Sequence, residues 1–216
     1  MEKSDIITAP IVTYARHRIQ SDGDGVTTLV CFHGCPLRCK MCINPFSYES
    51  DTKYTQMTPS MLYEKLKIDN LYFLATGGGV TFGGGEPLLY PGFIMEFRNI
   101  CPKEWRIGIE TSLNVPWENV EKVIDSTDFF VIDTKDLNPD IYKAYTGKDN
   151  TQMLDNLKKL VGLFPIDSIT ARVPLITYYN TKEDNERSIE LLKNIGVKKI
   201  DSFEYVDPKN RLNLFK

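Results

Sequence analysis

Cys35, Cys39 and Cys42 stand at a C-x3-C-x2-C spacing in Cys35-Pro36-Leu37-Arg38-Cys39-Lys40-Met41-Cys42, directly after the apolar run 26–32. Three thiols on one turn can fold around a single metal centre. A [4Fe–4S] cluster ordinarily takes a cysteine at each of its four irons. Three ligands leave one iron open, and an open position separates a catalytic metal site from a closed structural one. The stretch therefore reads as a reactive cluster loop. Zinc would require a second Cys or His pair further along the chain, and Cys101 with His33 or His17 makes a poor one. A disulfide framework fits no better: the chain has five cysteines, an odd number, and nothing resembles a secretory leader. Cys31, within the apolar run, and Cys101, at a helix end, read as inert core residues.

The second group of chemistry-bearing residues is glycine-dense, Thr76-Gly77-Gly78-Gly79-Val80-Thr81-Phe82-Gly83-Gly84-Gly85-Glu86-Pro87. Glycines on both sides of a short strand let its backbone come close to a ligand or a neighbour. No Gly-Lys-Ser/Thr follows, so this is not a phosphate-binding Walker loop. The glycines are contiguous, unlike the G-x-G-x-x-G dinucleotide fingerprint. Carboxylates and bases follow at Glu110-Thr111, Asp133-Thr134-Lys135 and Arg172.

The elements that must position these residues alternate. A short edge strand is expected at 11–14. Asp22-Gly23-Asp24-Gly25 makes a tight turn into a strand at 26–32. Thr58-Pro59 starts a helix to about residue 68 with Met61, Leu62 and Leu66 inward. Further strands are expected at 80–82, 106–110, 129–133, 169–175 and 198–205. Helices are expected at 91–101, from Pro116-Trp117 onward, near 138–144, at 151–163 and at 183–195, the last closed by Gly196. Six strands alternating with helices imply an α/β fold with parallel strands. Cys35/Cys39/Cys42, Gly84-Gly85-Glu86, Glu110-Thr111, Asp133-Lys135 and Arg172 are all placed at C-terminal strand ends, the arrangement by which a barrel builds its site.

With 216 residues, one domain over 1–216 is expected. Hydrophobic residues at 42% and charged residues at 25% are ordinary for a globular protein. A net charge of −3 gives no electrostatic case for nucleic acid. No apolar run approaches the ~20 residues that span a bilayer. A cytoplasmic location, where thiols stay reduced, is the expectation.

On these residues the chain resembles the radical S-adenosylmethionine superfamily, and within it the activating enzymes of glycyl radical enzymes. The resemblance rests on Asp22-Gly23-x-Gly25, Gly34-Cys35-x3-Cys39-x2-Cys42-x-Asn44-Pro45, Gly77-Gly78-Gly79-Val80-Thr81, Gly84-Gly85-Glu86-Pro87, Glu110-Thr111 and Asp133-x-Lys135. It implies a partial (β/α)6 TIM-like barrel. It implies that Cys35, Cys39 and Cys42 hold a [4Fe–4S] cluster whose open iron chelates S-adenosylmethionine. Met41 would lie beside the adenine, Gly84-Gly85-Glu86 would meet the cofactor's amino group, and Lys135 with Arg172 would face its carboxylate. Glu110, Thr111 and Asp133 match positions that bind a monovalent cation in the activases. The residues alone leave a plainer alternative, in which Glu110 and Asp133 cap helices or pair with Lys135 and Arg172. The implied partners are a glycyl radical enzyme, whose glycine gives up its α-hydrogen, and a flavodoxin- or ferredoxin-type reductant. Three positions depart from the family pattern: Thr27 replaces a usual Arg or Lys, Met41 a frequent aromatic, and Tyr205-Val206 stand where a His is common. Two rival readings are a radical enzyme acting on a small molecule, peptide or nucleotide, and an iron–sulfur electron carrier or sensor.

Overall fold

The computed structural model describes residues 6–205. Its strands are β1 (Ala9–Ile19), β2 (Val26–Phe32), β3 (Thr55–Met57), β4 (Gly79–Gly83), β5 (Arg106–Thr111), β6 (Phe129–Asp133), β7 (Ile169–Ile176) and β8 (Lys199–Tyr205). Their order is β3-β1-β2-β4-β5-β6-β7-β8. β4 pairs parallel with β2, Leu29 opposite Thr81, and with β5, Thr81 opposite Gly108. β7 and β8 are also parallel, from Thr170/Lys199 to Ile176/Tyr205. The fold is α/β with an open, mostly parallel sheet, a partial barrel in class, as the sequence implies.

Two strands extend that expectation. β1 is not a short edge strand: it runs eleven residues, pairs antiparallel with β2, and has β3 on its other side. Its register shifts between Ala15 and Arg18, where His17 takes a φ of 57°. A bulge of this kind breaks the alternation by which a strand is recognised. β3 has three residues, none buried, and offers no pattern to recognise. β1 begins at Ala9, two residues before the expected strand, and residues 1–5 lie outside the described residues.

The chain divides into two compact units. The first comprises Met1–Cys35, Phe46–Glu110 and Pro116–Phe130. Its core is aromatic: Phe32 meets Phe82 and Phe93 edge-on at 5.6 and 5.7 Å, and Phe82 meets Phe97 at 5.4 Å. Such tilted pairs add to the burial of the rings themselves. Helix α1 (Pro59–Leu66) begins where the Thr58 hydroxyl accepts the Met61 N–H at 3.2 Å. Leu62 and Leu66, one turn apart, are buried, whereas Met61 points outward at 47% exposure, contrary to expectation. Helix α2 (Asn70–Thr76) was not foreseen: it buries only Phe73, so it carries no apolar stripe. α3 (Pro91–Ile100) buries Phe93, Ile94 and Phe97, and Cys101 caps its end. α4 (Trp117–Val123) buries Val120 and Val123.

The second unit comprises Pro36–Pro45, Thr111–Val115 and Val131–Lys216. α5 (Pro139–Thr146) starts at Asn138, whose side chain accepts the Asp140 N–H at 2.9 Å, and stops at Gly147 with φ 78°. α6 (Thr151–Leu163) buries Met153, Leu157 and Leu160 on one stripe, and leaves Leu154 and Val161 half-buried. From its middle, Asn156 donates to the carbonyls of Leu113 and Val115 at 2.9 and 2.8 Å, which fixes the 111–115 segment. α7 (Lys182–Ile195) opens with a reciprocal Thr181/Asp184 cap and closes at Gly196, φ 109°. Beyond the end of β6, buried Asp136 accepts from Asn180 at 2.9 Å and Ser188 at 3.2 Å, and Ser188 in turn accepts the Leu137 N–H at 3.0 Å. That buried group, fully supplied with partners, holds the loop that carries Lys135.

Candidate active site and cluster loop

In the first unit, Gly84-Gly85-Glu86 leaves β4 and braces the turn before Cys35. The Gly85 N–H donates to Phe32 O at 3.1 Å and the Glu86 N–H to Gly34 O at 2.7 Å. Gly84 has φ 80°, and a Cβ there would stand 2.5 Å from the Cys31 Cβ; one on Gly85 would overlap the Gly34 carbonyl. The glycines are thus required by close approach to β2 and its turn, whatever else the segment contacts. Glu86 is buried, and its Oε1 accepts the Leu88 N–H at 3.2 Å, capping a short turn. Glu110, near the end of β5, sets its carboxylate beside Gly83: a Cβ on that glycine would stand 3.2 Å from Oε2. Cys31 is buried, and burial, with the Glu110 charge adding to it, pushes its thiol up to about 11. A thiol so held is inert, as expected for it.

In the second unit, the loop bearing Cys39 and Cys42 is pinned to the end of α5: the Arg38 N–H donates to Thr146 O at 2.8 Å and the Lys40 N–H to Tyr145 O at 3.0 Å. The turn closes on itself, Cys42 N–H to Cys39 O at 3.2 Å. Asn44 directs its N–H to the Cys42 sulfur at 3.4 Å. The hydroxyl of Tyr205, the last residue of β8, donates to the Met41 carbonyl. Burial raises the Cys39 thiol, and Lys135 opposes that rise.

Lys135 sits two residues past Asp133 with φ 61°, a left-handed backbone uncommon outside glycine. Its Nζ lies 2.9 Å from Asp133 Oδ2, and Arg172 approaches Oδ1 of the same carboxylate at 4.0 Å. Burial pushes the Asp133 carboxyl up, but Lys135 and Arg172 outweigh it and hold it below the usual range. Burial works against the Lys135 ammonium, and Asp133 with Cys39 and Tyr145 more than compensates, so it stays charged. Asp133 thus stands between two bases. Arg172 departs from the expected placement: it lies in the middle of β7, opposite Asp201 of β8, with its Nε 3.8 Å from that carboxylate. Thr111 turns its hydroxyl to the Leu113 N–H at 2.9 Å.

Among the described residues, no three His, Cys, Asp or Glu side chains gather around a single metal ion. A four-iron cluster takes each thiolate at a different iron, so its ligands stand further apart than those of a lone ion. The donor set suits such a cluster: three cysteines outside any disulfide within eight residues, a soft set that selects iron–sulfur over hard cations, and a backbone N–H aimed at one sulfur. Sequence reasoning missed Tyr205 and Tyr145 as supports of this loop. Only the position of Tyr205, where the family often has a His, marked it.

Residues 29–192 match the Radical SAM superfamily, and the chain belongs to that superfamily. It is similar to the pyruvate formate-lyase-activating enzyme of Clostridium pasteurianum, 32% identical over 92% of this chain and 86% of that protein. A second relative, the (2S)-3-sulfopropanediol dehydratase activating enzyme of Klebsiella oxytoca, is 28% identical over 82% of this chain and 75% of its own length. Among solved structures, Streptococcus suis SuiB bound to S-adenosylmethionine superposes with a TM-score of 0.63 at 15% identity, a likeness of fold. It covers 84% of this chain, which spans 44% of that longer protein.

Proposed function

We propose that the chain is an activating enzyme that removes a hydrogen atom from a glycine of a partner glycyl radical enzyme. The similarity to the C. pasteurianum activating enzyme over nearly the whole chain, with all three loop cysteines outside any disulfide, carries this reading. Cys35, Cys39 and Cys42 would hold the [4Fe–4S] cluster. When bound, the cluster supplies the electron that cleaves S-adenosylmethionine reductively.

The chain's own residues bind and orient. Lys135 carries three donors on its ammonium, and together with the Arg172 guanidinium it would face the cofactor's carboxylate. Backbone carbonyls of Gly84-Gly85-Glu86 would accept from its amino group, and the Met41 side chain would pack on its adenine. Glu110, Thr111 and Asp133 would hold a monovalent cation beside the cofactor, adding to the positive charge that Lys135 and Arg172 bring to Asp133. Rate enhancement then rests on holding the reacting atoms in register. A flavodoxin- or ferredoxin-type protein would deliver the electron, in the cytoplasm. No helix among the described residues is long and apolar enough to cross a membrane.

The test is anaerobic turnover of the reconstituted, reduced protein with pyruvate formate-lyase and, separately, with a dehydratase of the glycyl radical class. A glycyl radical signal by electron paramagnetic resonance, with 5′-deoxyadenosine formed in proportion, is the expected result. Cleavage of the cofactor at the same rate with and without either protein, and no radical, would count against the reading.

A further inference from the structure

β8 buries none of its seven residues. Burial is what ordinarily holds a strand of a parallel sheet in place, and β8 instead offers polar contacts to its own unit. Asp201 meets Arg172, the Ser202 hydroxyl donates to Asn185 Oδ1 at 3.0 Å, and the Tyr205 hydroxyl donates to the Met41 carbonyl. The last contact joins residues 164 positions apart and falls on the peptide between Cys39 and Cys42.

We infer that Tyr205 is a positioning residue for the cluster loop, acting through the Met41–Cys42 peptide. The end of α5 fixes the loop by way of the N–H groups of Arg38 and Lys40. The Met41–Cys42 peptide is then held at both ends: its N–H donates to Cys39 O at 3.2 Å within the turn, and its carbonyl accepts from Tyr205 of β8. A hydrogen bond on the Met41 carbonyl sets the plane of that peptide, and with it the direction in which Cys42 leaves the turn and the Met41 side chain projects. Tyrosine suits the task. Its ring is rigid, with two rotatable bonds, and its backbone is held opposite Ile176 in the ladder with β7. The inference rests on the proposed reading of this turn as a cluster loop and concerns only how the loop is held, not what the enzyme acts on.

The experiment compares wild type, Tyr205→Phe and Glu204→Gln as reconstituted full-length proteins. Glu204 is exposed, on the same strand, and serves as the control. Three readouts are taken: the electron paramagnetic resonance spectrum of the reduced cluster with and without S-adenosylmethionine, the rate of iron release to a chelator, and the melting temperature of the cluster-free protein. Tyr205→Phe is expected to melt with the wild type, to show altered g-values, and to release iron roughly 3- to 10-fold faster, the effect of one lost hydrogen bond. Glu204→Gln is expected to match the wild type throughout. A Tyr205→Phe protein with wild-type spectrum and release rate would overturn the inference. So would equal changes in both variants. A wild-type protein that holds a cluster but forms no glycyl radical would overturn the activase reading and leave the Tyr205 result standing.

Discussion

Lys135 turns back on its own strand end, its Nζ 2.9 Å from Asp133 Oδ2, from a backbone at φ 61°. The conformation costs about 1–2 kcal/mol for a residue with a Cβ. It persists because the buried Asp136, Asn180 and Ser188 group fixes the loop from behind. Backbone strain and charge can therefore be separated by substitution. Lys135→Ala is expected to weaken S-adenosylmethionine binding roughly 10- to 100-fold, the loss of a charge-assisted hydrogen bond. Lys135→Gly should weaken binding equally, yet unfold at a higher temperature than Lys135→Ala because glycine accepts the left-handed backbone. Calorimetric titration and thermal unfolding of the two variants check both halves. Wild-type affinity in Lys135→Ala would remove Lys135 from the site.

The cysteines divide by environment. Cys35, Cys39 and Cys42 are half-buried, whereas Cys31 and Cys101 are buried at 4% and 6% exposure. Alanine at any of the three loop positions is expected to abolish cluster assembly. Alanine at Cys31 or Cys101 should leave iron content unchanged and lower stability through lost packing. Iron analysis and the visible charge-transfer absorption after anaerobic reconstitution decide it. Iron lost from Cys101→Ala would overturn this division.

The regions legible in the sequence are those where local chemistry and burial agree. α6 follows from a single stripe of Met153, Leu157 and Leu160, and the end of α7 from Gly196, whose φ of 109° only glycine adopts at little cost. β6 stops where its apolar run meets Asp133. The reading fell short where tertiary contacts decide. α2 turns Leu71, Tyr72 and Leu74 outward, so hydrophobicity there misleads. Arg172 is a charged residue inside a strand, tolerated because Asp133 and Asp201 flank it. Composition places such a residue at a strand end. Tyr205 was illegible as a support because its partner is a backbone carbonyl far away in the chain, and nothing in the order of residues announces such a contact.

Asp69 supplies a test of stability remote from the cluster loop. Its buried carboxylate accepts from Arg16 Nε at 2.7 Å and lies 2.9 Å from His17 Nε2. Burial pushes the carboxyl up, but the bonds from Arg16 and His17 outweigh it and hold the group below its ordinary range. A carboxyl depressed on folding stabilises the protein fully above the unfolded pKa of about 3.9, and that contribution fades as pH falls through the lower folded value. Asp69→Asn is expected to cost about 1–3 kcal/mol at pH 7. The gap to wild type should narrow as the pH drops below ~4. Urea unfolding from pH 7 to pH 3 measures it. A gap as wide at pH 3 as at pH 7 would show that the charge on Asp69 is not what stabilises.

Gly84 separates packing from cofactor contact. Its φ of 80° excludes most side chains, and a Cβ would press on the Cys31 Cβ at 2.5 Å. Both penalties exist before any cofactor binds. Gly84→Ala is therefore expected to destabilise the cluster-free protein by roughly 2–4 kcal/mol, strain and overpacking together. Gly162, near the end of α6, is the control: nothing lies within 4 Å of its ideal Cβ, and its φ is not left-handed. Gly162→Ala should stabilise by up to about 1 kcal/mol through helix propensity. Thermal and urea unfolding of both cluster-free variants gives the comparison. If Gly84→Ala unfolds with the wild type and loses only S-adenosylmethionine binding, the glycine is kept for the cofactor and not for the approach to β2.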